Sequence, residues 1–384
     1  MSPSAQTSSP LRVAVVGAGF IATQGHLPML KRRDDAEIVA LVEVNAERGR
    51  SVAQQFGIPA TYTDYEAMLR EVQPDLVLIG TPNSLHAPQT LAAIEAGAHV
   101  LVEKPMALSA ADAQRMADAA RAAGRVLTIG LHNRYRTEMD YLKNLIAAGE
   151  LGDIYYGKIS LIRRRGIPGF GSWFTNKDLA GGGAIMDIGV HMVDLALWLM
   201  GSPTPVSAMG VTYAEFGPRA RALGGWGIDA PPPGVVPAGA RFDVDDLAAG
   251  MVRFDNGATL IVDVAWAGYA ASEERLQLLG TEGGAEVHVG DRQPPSQTPL
   301  KLYHDHLGRP TETQPVFPLH RPVDVPMGGP MGAQLEVLFN AIRHGAPLVI
   351  TPEQVVTVTA ILDAIQSSSA LGRSVEIELP RPAL

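Results

Sequence analysis

At 384 residues, 46% hydrophobic and 18% charged, the chain has the length of about two or three domains and enough apolar mass to bury cores, which excludes a disordered protein. Its net charge of −9, with no run of lysine or arginine, argues against nucleic acid or an acidic membrane surface as the main partner. Zero cysteines remove disulfides, thiolate metal sites and cysteine nucleophiles together.

The leader MSPSAQTSSP has neither the positive nor the apolar region of a signal peptide, so residues 1–10 read as a disordered segment of a cytoplasmic protein. LRVAVV at 11–16 and EIVALVE at 37–43 are β-branched apolar runs that predict buried strands, with a helix between them over about 21–32 and a second helix in AERGRSVAQQF. LVLIG at 76–80, HVLVE at 99–103 and RVLTIG at 125–130 extend the series, LAAIEAG supplying one of the connecting helices. This alternation predicts an α/β Rossmann-type domain, a doubly wound parallel sheet over residues 11–130.

Gly17, Gly19 and Ala22 spell G-x-G-x-x-A between the first strand and its helix. Gly17 allows the tight turn, Gly19 lets the backbone approach a pyrophosphate, and small Ala22 lets the helix pack closely. The helix N-terminus then attracts the phosphates. Glu43 ends the second strand, where a carboxylate accepts hydrogen bonds from ribose hydroxyls and repels a 2′-phosphate, so NAD is expected over NADP. T-P-N-S-L-H, Thr81 to His86, and E-K-P, Glu103 to Pro105, end the next two long strands, the edge at which doubly wound sheets bind ligands. Lys104 there either relays a proton beside a cofactor or caps a turn in solvent.

From about 131 the pattern changes to a helix near 135–148, a strand near 153–164, a long helix, and then successive strands. VSAMGVTYAEF, DLAAGMVRFD, GATLIVDVAWAGY, ERLQLLGTE and AEVHVG predict antiparallel strands joined by turns such as Asp255-Asn256-Gly257. Residues 131–384 are therefore expected to form an α+β domain with a large, mainly antiparallel open sheet. Residues 217–241 are too rich in glycine and proline for regular structure and predict a loop near the site or at a subunit contact. Two amphipathic helices, in AQLEVLFNAIRHG and PEQVVTVTAILDAIQSSSALG, and a short strand near 374–378 close the chain.

Within this half, AIMDIGVHMVDLALWLM is a helix apolar on almost every side, yet Asp187, His191 and Asp194 recur at i, i+4 and i+7 on one face. Carboxylates and an imidazole on a buried helix must be paired or face a cavity, so the stripe predicts a site or a hydrogen-bonded core histidine. Asp194 is expected to orient His191 or to cap nearby backbone. Arg163 to Arg165 alternate faces of a strand, and solvated or salt-bridged roles outweigh contact of one of them with an acidic sugar. His304 and His306 lack a third ligand, and Asp243, Asp245 and Asp246 lack calcium-loop spacing, so no metal is expected.

The sequence resembles the Gfo/Idh/MocA family, named for glucose-fructose oxidoreductase, inositol dehydrogenase and a rhizopine-catabolism protein. The resemblance rests on five segments in order from about residue 11 to 287: VAVVGAGFIA, TPNSLHAPQTLAAIEAGAHVLVEKP, GLHNRYR, LAGGGAIMDIGVHMVDLALWLMG and the strand ending LLGTEGGAEV. It implies that Gly17, Gly19, Phe20, Ile21 and Ala22 hold the pyrophosphate, that Glu43 holds the ribose, and that Thr81, Pro82, Asn83 and His86 line the nicotinamide side, followed by Glu103 and Lys104. It also implies a cis peptide bond before Pro105, a cleft-lining role for Trp173, a substrate-binding arginine, of role that varies among members, at Arg134, and a substrate-binding and catalytic pair in Asp187 and His191. Phe174 stands where some NADP-dependent sugar reductases carry arginine. The resemblance further implies a homodimer or homotetramer formed through the open sheet.

The resulting expectation is a dehydrogenase that passes hydride between nicotinamide and a secondary alcohol carbon of a sugar, glycoside or inositol-like polyol. His191 or Lys104 accepts the hydroxyl proton and Asp187 fixes a neighbouring hydroxyl. The rivals are a glycosidase that uses NAD for transient oxidation and elimination, and a non-catalytic dinucleotide or sugar sensor.

Overall fold

The structure, a computed structural model, describes residues 9–224, 238–289, 299–317 and 329–382. Most of the expected leader and the centre of the 217–241 loop lie outside these residues.

Six parallel strands, β1 Leu11–Val16, β2 Ala36–Val42, β3 Ala60–Tyr62, β4 Leu76–Ile79, β5 His99–Val102 and β6 Leu127–Ile129, lie in the order β3-β2-β1-β4-β5-β6. The helices between them are α1 Leu27–Leu30, α2 Ala46–Phe56, α3 Tyr65–Val72, α4 His86–Glu95 and α5 Ala110–Ala123. Local chemistry sets their ends. Asn45 accepts from the N–H groups of Glu47 and Arg48 at the start of α2, and Ser109 accepts from Asp112 N–H at the start of α5. The strand order reverses between β1 and β4, which opens the crevice where the glycine motif sits. The helix after β1 begins as a π turn, Ala22–His26, that runs into α1.

Beyond α6 Thr137–Ala147 and β7 Ile154–Ile162, the chain forms α7 Lys177–Ala180, a second π turn at Ile185–Gly189, and α8 Val190–Leu199. The strands β8 Pro205–Tyr213, β9 Leu247–Phe254, β10 Thr259–Ala265, β11 Glu273–Gly280, β12 Gly283–His288, β13 Leu300–His306 and β14 Arg309–Thr313 follow. Helices α9 Gly329–His344 and α10 Pro352–Leu371 and strand β15 Val375–Glu376 complete the fold. The second sheet runs β14-β13-β12-β11-β7-β10-β9-β8-β15, with β7 and β10 parallel and the other pairs antiparallel. Ile159, Val262, Val264 and Leu276 are buried on the face that α8 and α10 cover. Met209, Val211, Tyr213 and Met251 are exposed on the other. The β9–β10 turn is the one read from Asp255-Asn256-Gly257.

Three features depart from the sequence reading. Strand β3 and the β13–β14 hairpin are short or polar and carry little apolar alternation, so the sequence pattern does not predict them. Helix α9, grouped by sequence with residues 131–384, packs on the first sheet: Leu335, Leu338 and Phe339 join Val13, Val15, Leu76, Leu78 and Leu101 in one core. Arg33 clasps it, pairing with Glu336 at 2.8 Å and lying 4.0 Å over the Phe339 ring.

Candidate active site

The glycine turn is built by close packing. A Cβ on Gly17, whose φ is +98°, would stand 2.6 Å from the Gly80 carbonyl oxygen, so only glycine fits where β1 meets β4. A Cβ on Gly19 would meet nothing nearer than 3.9 Å and would project into the crevice instead. No side chain caps the helix that follows, which leaves its first N–H groups for an anion, and Phe20 is half exposed beside them. Glu43 ends β2 with both oxygens oriented, one accepting from Ala18 N–H and the other from Asn45 N–H, each at 3.0 Å. These backbone donors hold the carboxylate against the turn.

At the ends of β4 and β5 the residues expected along the nicotinamide side are held by protein contacts. Thr81 donates to Gln89 at 2.7 Å, and Pro82 leads into the tight turn Asn83–Leu85. Asn83 is buried and donates to the Ala180 carbonyl at 2.9 Å, tying this turn to α7 of the second sheet's domain. His86 is buried with Nδ1 2.7 Å from the Pro105 carbonyl oxygen and Nε2 3.0 Å from that of Thr81, and burial lowers its pKa. Both of its ring nitrogens face backbone oxygens, so it braces the two strand ends. The Lys104–Pro105 bond is cis.

Glu103 lies in the floor of the crevice. Burial pushes its carboxyl up, but the hydrogen bond and charge of His26, 2.7 Å away, leave it below the ordinary carboxylate value. His26 comes from the first π turn. A lone histidine within this helix carries no sequence signal that marks it as a site residue.

Lys104 crosses to the second half of the molecule. Its Nζ donates to Asp187 Oδ1 at 2.6 Å and to the Asp187 carbonyl oxygen at 2.9 Å. The other carboxylate oxygen of Asp187 accepts from Trp266 Nε1 at 2.8 Å. Burial raises the Asp187 pKa, but Lys104 above all, then Arg163 and Trp266, bring it below the ordinary value. His191 stands beside this group with Nδ1 buried and without a hydrogen-bond partner among the described residues. Burial first, then the charges of Lys104, His132 and Arg163, hold its pKa well below the usual histidine value, so the imidazole is neutral at pH 7. The His132 ring meets it edge to face at 5.7 Å.

The glycine triplet 181–183 sets the helix that carries this pair. Asp245 accepts from Gly183 N–H at 2.7 Å and Ile185 N–H at 2.9 Å, and a Cβ on Gly183 would overlap the Asp245 backbone. The polar stripe itself divides. Asp194 turns away and forms a buried ion pair with Arg134, Oδ1 to Nη2 at 2.6 Å and Oδ2 to Nε at 3.0 Å. Nη1 of Arg134 donates to the Val349 carbonyl and to Gln354. Arg134, expected to touch substrate, is thus consumed as a strut, and Asp194 orients it rather than His191. Trp173 is half buried and stacks on Phe174 at 3.9 Å, in the turn that leads into α7. Trp266 and Arg163 are the site groups that sequence reasoning missed or discounted. Their signal was register: they follow directly on the parallel pair β7 and β10. Among the described residues no cluster of histidine and carboxylate groups is placed to hold a metal.

Comparison with known proteins gives two family matches: residues 11–131 match "Oxidoreductase family, NAD-binding Rossmann fold" and residues 139–286 match "GFO/IDH/MocA C-terminal domain". The chain is 30% identical over 374 residues to D-glucoside 3-dehydrogenase of Escherichia coli (strain K12), covering 97% of this chain and 99% of that protein. Among solved structures it is similar to aldose-aldose oxidoreductase from Caulobacter crescentus complexed with glycerol, with TM-score 0.74 and 27% identity over 96% of this chain and 100% of the other. It is likewise similar to GenD2 from gentamicin A biosynthesis in complex with NAD, with TM-score 0.74 and 26% identity over 97% of each chain.

Proposed function

Since the chain belongs to the Gfo/Idh/MocA oxidoreductase family, we propose that it oxidises a secondary ring hydroxyl of a glycoside, with NAD as the hydride acceptor. The observation that carries this reading is the meeting of Lys104 from the nucleotide-binding sheet with Asp187 and His191 from the second domain. The crevice fits a dinucleotide: a Cβ would fill the space over Gly19, the helix start is uncapped, and Glu43 is presented at the end of β2. Gly17 to Ala22 would hold the pyrophosphate, Glu43 the ribose, and Thr81, Pro82 and Glu103 would border the nicotinamide. When bound, the nicotinamide supplies the carbon that accepts hydride.

The chain's own residues divide the remaining work. Asp187, already oriented by Lys104 and Trp266, accepts a hydrogen bond from a sugar hydroxyl and fixes the ring. Lys104, held by Asp187, donates to the oxygen of the reacting carbon. The neutral His191 receives the hydroxyl proton as the carbonyl forms. His26 keeps Glu103 in place beneath the crevice. The exposed Met209, Val211, Tyr213 and Met251 face supports pairing of two copies, as a dimer or within a tetramer.

The test is direct. Purified protein with NAD and methyl D-glucopyranosides should accumulate reduced cofactor, and Lys104→Ala should lower turnover by about 10² or more. Release of sugar from the glycoside without net reduced cofactor would overturn the reading.

A further inference from the structure

We infer that Arg163 reads a carboxylate on the substrate, so that the sugar oxidised in this cleft is an acidic pyranoside such as a uronide. The inference rests on the hydride-transfer reading above and names its substrate class.

Strand register places the side chain. Along β7, Ile159 and Leu161 are buried on the face covered by α8, and two residues further the same alternation reaches Arg163. Along β10, Val262 and Val264 face the same way and lead to Trp266. Leu161 pairs with Val264 and Ile162 with Ala265, and Arg163 N–H donates to the Ala265 carbonyl at 3.0 Å. Arg163 and Trp266 therefore stand side by side just past the end of the parallel pair. Trp266 spends its N–H on Asp187. Arg163 lies near enough to act electrostatically on both Asp187 and His191, and its stem packs over Gly166, where a Cβ would come within 2.9 Å of Cδ.

Its guanidinium, however, is unanswered. Nε is buried with no acceptor among the described residues, whereas Arg164 and Arg165 are exposed. The nearby carboxylate of Asp187 makes its side-chain hydrogen bonds to Lys104 and Trp266 and none to Arg163. Beside it Asp187 is paired with Lys104 at 2.6 Å, Glu103 is paired with His26 at 2.7 Å and His191 is neutral, so neither carboxylate forms an ion pair with Arg163. A half-buried cation without a counter-charge is costly, and a planar guanidinium is matched by a carboxylate that takes two parallel hydrogen bonds. A neutral sugar offers only hydroxyls there and leaves the charge uncompensated.

The experiment compares methyl β-D-glucuronide with methyl β-D-glucopyranoside as substrates, with NAD, for the wild type, Arg163→Met and Arg163→Lys. In the wild type the ratio of kcat/KM should favour the glucuronide by about tenfold or more, Arg163→Met should lower that ratio by about 10²-fold, and Arg163→Lys should recover part of it. A wild-type ratio at or below one, or a ratio that Arg163→Met leaves unchanged, overturns the inference. If the wild type oxidises neither compound, the functional reading fails first, and calorimetric binding of glucuronate and glucose to the NADH-loaded protein still decides this one. Binding of glucuronate over glucose that Arg163→Met abolishes supports it, and equal binding of the two sugars sinks it. Melting curves of the variants ensure that folded molecules are compared.

Discussion

His191 and Asp187 sit within one turn of each other but carry opposite demands. The histidine is neutral because burial and the positive charges of Lys104, His132 and Arg163 all disfavour its protonated form. It is ready to take a proton but contributes little to a bound sugar. Asp187 is ionised and offers an acceptor in the ground state as well. His191→Ala should therefore lower kcat by about 10² or more with KM within severalfold, while Asp187→Ala should lower kcat and raise KM together; steady-state kinetics on a glycoside separate the two. If both variants kept wild-type turnover and only melted lower, the pair would be a core contact. The same charge argument fixes the acid limb of kcat/KM for oxidation: it should fall below pH 6.5, because the free enzyme's base stays unprotonated below the ordinary histidine value. A limb centred at or above 6.5 would mean that another group takes the proton. Glu43 makes its own prediction. With both oxygens anchored to backbone N–H groups it cannot withdraw from a 2′-phosphate, so titrations should give NAD at least about a tenfold smaller Kd than NADP.

Most of the elements were legible in the sequence because buried parallel strands and amphipathic helices carry strong apolar periodicity. The glycine motif, Glu43, the Glu103-Lys104-Pro105 segment and the Asp187–His191 pair could be read because unusual residues occur at element ends or on an apolar helix. What could not be read depends on a change of pitch. Ordinary helical spacing puts Asp187, His191 and Asp194 on one face, but the wider turn over Ile185–Gly189 lets the first two look into the cleft and sends Asp194 to Arg134. Trp266 and Arg163 depend on which strands are neighbours, and only the assembled sheet shows that. One tertiary cap also lies outside local pattern. Asp363 on α10 accepts from Ala110 N–H at 2.8 Å, at the start of α5, and burial, aided by Asp112, raises its pKa to about 6. The folded state thus holds a proton there that the unfolded chain releases near the ordinary aspartate value of 3.8, so this group's contribution to stability is lost as pH rises through about 6. Asp363→Asn keeps an acceptor without the charge. It should raise stability at pH 7.5 by about 1–3 kcal/mol, with the gain shrinking towards pH 4.5, as thermal melts at the two pH values would show. An equal effect at both would discount the raised pKa.

The molecule as a whole is tied across its two sheets from both directions. Lys104 and Asn83 reach from the first domain to Asp187 and Ala180 of the second, and α9 returns from late in the chain to close the first sheet. Phe339 is the largest side chain that α9 contributes to that core, and it is fully buried beneath Arg33. Phe339→Ala should cost about 3–5 kcal/mol, seen as a lower urea midpoint, and the fastest new hydrogen exchange should be in β1 and α1 rather than in the second sheet. A loss under about 1 kcal/mol would mean that α9 merely rests on the surface. The return of α9 also governs how the protein is born. A ribosome making about 5–20 residues per second finishes β1 long before Leu335, so the nascent nucleotide-binding sheet waits for roughly 15–60 s without the part of its cover that α9 adds to α1 and α2. The strands that frame the crevice are thus made early, and the last helix of their core joins them only after the whole second sheet has been synthesised.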